Sequence, residues 1–241
     1  MIDKEKYIES QDMGRSSVDV HIQQAGYEAR QAVIEEIKFD VRPGEIVGMI
    51  GSNGAGKSTT VSCLTGTIPW MRGTVDIGRY AYIPEQPVYY DYLTLAEHIA
   101  LVSELSGVSD QPRPAMLLRM FRLESVQDDY IASFSKGMKQ KAMILLALIQ
   151  EPDYLLVDEP FVGLDATTTI QLLRLLEEER RRGTGVLLVT HVLDTAERLC
   201  DRFVWIDNGR MLASGTKQAI RAELGTDGAS LFEMMEDVVM R

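Results

Sequence analysis

Cysteine is almost missing from this 241-residue chain, and the two present, Cys63 and Cys200, lack metal or redox spacing. Isolated thiols among helix-like residues fit a reducing compartment and exclude a disulfide scaffold or a thiolate zinc site. No apolar run approaches the roughly 18 residues that span a bilayer. The opening Met1-Ile-Asp-Lys-Glu-Lys is polar and has no apolar signal core, so export is not expected. Basic residues are in deficit, 25 against 36 acidic ones, for a net charge of −11. A protein whose main partner is a nucleic-acid backbone carries the opposite sign or a basic stripe, so no nucleic acid is expected. The same charge opposes unaided binding to an anionic membrane surface, and any membrane attachment should run through a protein partner. Internal repeats are absent. What is present, 45% hydrophobic and 25% charged residues, is ordinary for a soluble globular protein with a sizeable core.

One stretch organises the rest: Ile46-Val-Gly-Met-Ile-Gly51-Ser-Asn-Gly-Ala-Gly56-Lys57-Ser58-Thr59-Thr60. It reads as a buried strand, a glycine-rich turn and the first turn of a helix. The spacing Gly51-x-x-x-x-Gly56-Lys57-Ser58 is the P-loop pattern. Gly51, Gly54 and Gly56 let the backbone bend and bring its N–H groups against phosphate oxygens. The helix start near Lys57 directs its positive end at the same anions. Lys57 adds a point charge for the outer phosphates, and the Ser58 hydroxyl is suited to Mg²⁺.

Taken in order, residues 1 to about 16 read as a polar extension or short helix. Val18, Val20 and Ile22 alternate as a strand, and Val33 to Val41 reads as a second ending at Pro43-Gly44. Tyr27, before the P-loop strand, is placed either to stack on a base or to pack at a strand end. Pro69 to Gly73 reads as a loop, followed by short strands at Thr74–Ile77 and Tyr80–Ile83. Thr94 and Glu97 form a capping box for a helix with Leu95, Ile99 and Val102 on one face. Ala115 to Leu123 is a further short helix, and this middle third is helix-rich, an inserted subdomain rather than an independent one. A long helix opens at Ser133–Lys139 and ends before Pro152. Tyr154–Val157 and Val186–Val189 are continuous apolar runs, as in strands buried on both faces of a parallel sheet. Ile170–Arg182 and Val192–Cys200 read as helices, and Phe203–Ile206 and Met211–Ala213 flank an Asn208-Gly209 turn. Residues 226–241 read as a helical tail presenting Leu231, Met234, Met235, Val238 and Val239.

Three buried strands therefore end in functional groups: the Gly51 loop, Asp158-Glu159, and His191. Ligands of such sheets sit beyond the carboxyl ends of the strands. An acid ending an apolar strand is costly without a task, and holding hydrated Mg²⁺ suits Asp158. Glu159 is placed to orient or deprotonate an attacking water. His191 is placed to sense the terminal phosphate or position that water. Ser135-Lys136-Gly137 offers a second phosphate-seeking helix start.

Together these segments resemble the ATP-binding subunit of ABC transporters over about residues 17–225, and within it the Ecs-type and related bacterial exporter ATPases. Gly51–Ser58 matches Walker A, and Tyr154–Glu159 with Pro160 matches Walker B and the catalytic glutamate. Ser135-Lys136-Gly137-Met138-Lys139-Gln140 looks like the signature motif, although Phe134–Met138 keeps only the serine and second glycine of Leu-Ser-Gly-Gly-Gln. Val162-Gly163-Leu164-Asp165 is similar to the D-loop, Thr190-His191 to the switch histidine, and Tyr27 to the base-stacking aromatic. The Q-loop glutamine has no direct counterpart: the Tyr-x-Pro register gives Glu85, with Gln86 one residue late, and either is a candidate for Mg²⁺.

The resemblance implies an α/β P-loop NTPase of ABC ATPase fold, with a RecA-like core, an N-terminal antiparallel β-subdomain and an inserted helical subdomain at about 88–150. It implies ATP held by Tyr27, Gly51, Ser52, Asn53, Gly54, Ala55, Gly56, Lys57, Ser58 and Thr59, with Mg²⁺ on Ser58 and Asp158. Catalysis would fall to Glu159, His191 and Lys57. Two ATPase subunits, identical or closely paralogous, would pair head to tail so that Ser135 and Gly137 serve the partner's nucleotide. A separate multi-spanning permease would dock on the insert from about Leu93 to Leu123, placing the chain in the cytoplasm on the inner face of the membrane. The alternatives are a soluble ABC-type ATPase without a permease, and a regulatory nucleotide-binding module.

Overall fold

Valine, isoleucine and leucine crowd the strand segments because the central strands are covered on both faces. The computed structural model describes residues 17–108, 112–161 and 163–240. Among these, nine strands make one sheet: β1 (Val18–Gly26), β2 (Ile34–Val41), β3 (Ile46–Ile50), β4 (Trp70–Asp76), β5 (Tyr80–Ile83), β6 (Tyr154–Asp158), β7 (Gly185–Val189), β8 (Arg202–Asp207) and β9 (Arg210–Gly215). Their spatial order is β4-β1-β2-β9-β8-β3-β7-β6-β5. From β8 to β5 the strands run parallel. The other half is antiparallel apart from a parallel bridge between Glu35 and Arg210.

The helices are α1 (Lys57–Leu64), α2 (Leu95–Ser106), α3 (Arg113–Phe121), α4 (Lys136–Leu148), α5 (Ala166–Arg181), α6 (Leu193–Leu199), α7 (Lys217–Leu224) and α8 (Leu231–Val239). Strand alternation divides the core between them. Leu155 and Val157 of β6 join α4 and α5 on one face, while Tyr154 and Leu156 face the cluster containing α1, β1 and β2. A strand with partners on both sides has no polar face, which is why these runs are continuous rather than alternating.

The stretch expected as a helical insert does not bury its apolar faces alone. Leu95 of α2, Phe121 of α3 and Leu145 of α4 share one cluster with Ile83 of β5 and Leu188 of β7. The capping box is present, with Glu97 N–H donating to Thr94 Oγ1 at 3.2 Å and Thr94 N–H to Glu97 Oε2 at 2.7 Å. Ser135 caps α4, accepting the Met138 N–H at 3.3 Å. α3 begins at Arg113 rather than Ala115, with Pro114 in its first turn, where a missing N–H costs nothing. α5 begins at Ala166, four residues before the expected Ile170, because Asp165 accepts the Thr168 N–H at 2.8 Å and caps it.

One expectation is corrected. Apart from Pro69, the stretch 69–73 is not a loop: residues 70–73 open β4, which pairs antiparallel with β1, Val20 opposite Val75 and Gly26 opposite Trp70. Gly73 lies so close to β1 that an added Cβ would sit 2.1 Å from the His21 carbonyl oxygen. The turn-like composition lost to an available sheet edge, since strand formation follows cross-strand context more than local preference. The expected extension at residues 1–16 lies outside the described residues.

A buried ion pair ties α3 to α5. Arg113 Nη2 donates to Glu179 Oε1, and both side chains are almost completely covered. Thr184 Oγ1 also donates to Glu179 Oε2 at 3.4 Å. Removing one partner of such a pair strands the other charge. Glu179→Ala should therefore lower the unfolding free energy by about 3–5 kcal/mol in urea titration, and joint replacement with Arg113→Met should recover much of it.

Candidate functional site

The parallel ladder places three strand ends side by side. β7 lies between β3 and β6, with Val189 registered against both Met49 and Asp158. Each chain segment leaving those ends meets the others at a cavity of about 400 Å³, in the range of small-ligand sites.

The loop after β3 forms the floor. Gly51 permits a close approach, since a Cβ there would lie 2.2 Å from the Ile206 carbonyl oxygen. Gly56 has φ 111°, a left-handed geometry that favours glycine, and it precedes α1 as its N-cap. No side chain caps α1, so its first N–H groups have no side-chain acceptor and remain directed at the cavity. Lys57 is buried, and its ammonium donates to the carbonyls of Gly51 at 2.8 Å and Ser52 at 3.0 Å. Burial pulls its pKa down, against the fields of Glu159 and Asp158.

The acids form the opposite wall. Asp158 ends β6 and is buried, which pushes its carboxyl up to about 6. The Tyr82 hydroxyl donates to Asp158 Oδ2 at 3.3 Å and works against that rise, as does Lys57, whereas Glu159 and Glu85 add to it. Glu159 has φ 45°, a left-handed geometry that costs a non-glycine residue roughly 1–3 kcal/mol. That turn carries its carboxylate to the neighbouring strand end. Thr190 Oγ1 donates to Glu159 Oε2 at 3.2 Å, and His191 Nδ1 lies 2.7 Å from Oε1. Both carboxylate oxygens are thus oriented from β7, and Thr190 Oγ1 in turn accepts the Val192 N–H at 3.1 Å.

Asn53, Gly54, Gly56, Lys57, Ser58 and Thr59 line the cavity, together with Glu85, Asp158, Glu159 and His191. Gly51 and Ala55 are buried, while Ser52 is exposed outside the lining. Of the two Q-loop candidates Glu85 reaches the cavity and Gln86 does not line it. Tyr27 stands outside the lining, exposed, with its hydroxyl 3.5 Å from Thr59 Oγ1. Ser135 and Gly137 lie at the start of α4, away from the cavity, where Gly163 approaches the helix start. Val162 lies outside the described residues. Three residues were not singled out from the sequence as site residues: Tyr82, Thr190 and Val33, which also lines the cavity. For Tyr82 a signal existed, since it sits two residues before Pro84 on a strand paired with β6, but the pairing itself is not local information.

Backbone donors at a helix start, a buried lysine, a hydroxyl and two carboxylates are the groups that a P-loop phosphate site with hydrolytic chemistry requires. Comparison with known proteins narrows this. The family described as ABC transporter matches residues 34–162. The uncharacterized ABC transporter ATP-binding protein YthP of Bacillus subtilis (strain 168) is 41% identical over 221 residues, covering 90% of this chain and 94% of that protein. The ABC-type transporter ATP-binding protein EcsA of the same organism is 39% identical, covering 87% and 91%. A solved structure of the ATP-binding subunit of an ABC transporter superposes with a TM-score of 0.86 at 41% identity, covering 93% of this chain and all of that one. The chain belongs to the ABC transporter family, as an ATP-binding subunit with an ABC ATPase fold. Members of this class bind and hydrolyse ATP, pair with membrane permeases and dimerise.

The Tyr82 contact can be read directly. The carbon resonance of the Asp158 carboxyl should titrate near pH 6 in the nucleotide-free protein. In Tyr82→Phe the donor that favours the ionised form is gone, so the midpoint should move to higher pH.

Proposed function

We propose that this chain is the ATP-hydrolysing subunit of a two-subunit motor that drives a separate multi-spanning permease. The observation that carries the reading is the Glu159 carboxylate, held by Thr190 and His191 beside Asp158 in the cavity that Lys57 closes from below. In this reading the loop N–H groups from Ser52 to Thr59 and the Lys57 ammonium hold the phosphates. Glu159 accepts a proton from the attacking water, and His191 fixes the carboxylate and meets the terminal phosphate. A positioned base of this kind contributes about 10²–10⁴ in rate, with the rest from positioning and electrostatics.

Mg²⁺ fits the oxygen donors present. Ser58, Asp158 and Glu85 supply hard ligands, yet no group of three or more acidic, histidine or cysteine side chains among the described residues could hold a metal unaided. Mg²⁺ normally takes one or two carboxylates and completes its shell with substrate phosphates and water. Bound there, it would neutralise charge on the transferring phosphoryl group. Tyr27 is close enough to α1 to receive the base. Ser135 and Gly137, outside this chain's cavity, complete the nucleotide site of a second subunit, identical or closely paralogous.

The permease reading rests on a second surface. An apolar groove of about 540 Å³ lies between α2, α4 and the segment after Pro84, with Val88, Tyr90, Leu101 and Met143 in its walls. Val88 and Tyr90 are largely exposed, a combination that marks partner surfaces. No helix among the described residues is long and apolar enough to cross a membrane. A permease seated in the groove would hold the chain on the inner face of the membrane.

Glu159→Gln should abolish ATP turnover while leaving ATP affinity intact, and should convert the protein to an ATP-dependent dimer in size-exclusion chromatography. Rapid turnover by this variant would remove Glu159 as the base. From gentle detergent, a multi-spanning protein should co-purify with the native chain and be lost with Leu101→Asp, while ATP binding persists. Purification with no such companion would favour a soluble ABC-type ATPase instead.

A further inference from the structure

Behind the cavity one carboxylate joins three helices. α6 begins two residues after His191 and carries Glu197. Glu197 Oε1 accepts from Lys217 Nζ at 2.6 Å, and Lys217 is the first residue of α7. Glu197 Oε2 accepts the N–H of Leu231 at 2.9 Å, and Leu231 is the first residue of α8. Burial pushes this carboxyl up, but the Lys217 and Leu231 hydrogen bonds outweigh it and hold it below the usual carboxylate range.

The inner face of α6 points into the same assembly. Leu193 and Ala196 share a cluster with Ile50, Trp205, Leu231 and Met234. Ile50 is the last residue before Gly51, so α8 backs the strand end feeding the phosphate loop as well as the helix that follows His191. α6 has seven residues and no side-chain cap at Val192. A helix this short has almost no stability of its own, so its position is set by what it docks on.

We infer that Glu197 is a positioning residue for hydrolysis: by clamping α6 to the starts of α7 and α8, it holds His191 on the Glu159 carboxylate. The C-terminal helices then belong to the hydrolytic apparatus rather than forming an appended tail. This rests on the pairing of His191 with Glu159 acting in hydrolysis, and it adds the element that keeps the pair in register.

The test uses the full chain in steady-state ATPase assays, comparing native protein with His191→Ala, Glu197→Ala, Glu197→Gln and the His191→Ala/Glu197→Ala double variant. Glu197→Ala should lower kcat by about 10- to 100-fold, as expected of a misplaced catalytic group, with the KM for ATP and ATP affinity unchanged. Glu197→Gln keeps an acceptor for Leu231 and should restore most of kcat. In the His191→Ala background, Glu197→Ala should add no further loss. If Glu197→Ala is poorly folded in thermal melts, Lys217→Met, which removes one of the two ties, must show the same dependence on His191. An unchanged kcat, a parallel loss of ATP affinity, or an additive loss in the double variant would overturn the inference while leaving the site reading standing. A His191→Ala variant with native kcat would take away the His191–Glu159 pairing itself, and the inference with it.

Discussion

The parallel ladder that sets β3, β7 and β6 edge to edge is the constraint on which the rest of the structure depends. Hydrogen-bond register places Met49, Val189 and Asp158 level, so three chain segments turn off the sheet at the same height. The phosphate loop, the Asp158-Glu159 pair and Thr190-His191 then meet without any long-range folding of loops. Two-sided burial is what makes the ladder rigid, and it also makes the acid at its end unusual. Asp158 sits where a carboxylate is poorly solvated, and its raised pKa is the electrostatic trace of that placement. The left-handed turn at Glu159 is a local cost accepted by the same geometry, because it carries the second carboxylate across to β7.

How much of this could be read from the chain follows from which interactions are local. The phosphate loop, the caps at Thr94 and Ser135, and the Asn208-Gly209 turn are written in adjacent residues, and they stand in the structure where the sequence puts them. The acids ending β6 were legible because polarity at the end of an apolar run stands out. The first half of β4 was not, because Pro69 and Gly73 make the segment look like a turn until β1 offers Trp70–Gly73 an edge. Tyr82 was missed for the same reason at the level of a side chain. It reads as a residue of a short strand, and only the β5–β6 pairing brings its hydroxyl to Asp158. The C-terminal helix was legible as amphipathic, but not the partner of its apolar face. That face closes on Ile50 and Trp205 within the same chain.

The distribution of polar groups is consistent with the proposal that one subunit carries half of the machine. Ser135 accepts a backbone N–H of its own helix and does not line the cavity, which is why the proposal gives the signature segment to a second subunit's nucleotide. Yet α4 is not independent of that cavity. Gln140 Nε2 lies 3.4 Å from the carbonyl oxygen of Pro84, and Lys139 Nζ donates to the Tyr89 hydroxyl at 2.8 Å. The segment between these contacts carries Glu85 into the cavity and Val88 into the apolar groove. One short stretch therefore touches the cavity, α4 and the apolar groove. In the proposed reading, a permease that displaced this stretch at the groove would shift Glu85 in the cavity and α4 together.

Charge at the cavity sets what kind of ligand it favours. Lys57 is the one lysine or arginine among the lining residues, set against Asp158, Glu159 and Glu85. Two like charges 4 Å apart at a protein surface repel by about 4 kcal/mol, so a bare polyphosphate entering beside three carboxylates meets a substantial barrier. Loop N–H groups and the α1 dipole would offset part of it. In the proposed reading, a divalent cation held by these carboxylates would relieve that repulsion. Where a glutamine would place a neutral amide, Glu85 sets a third carboxylate beside Asp158 and Glu159 in the lining, so in the proposed reading a divalent cation would have more charge to offset here.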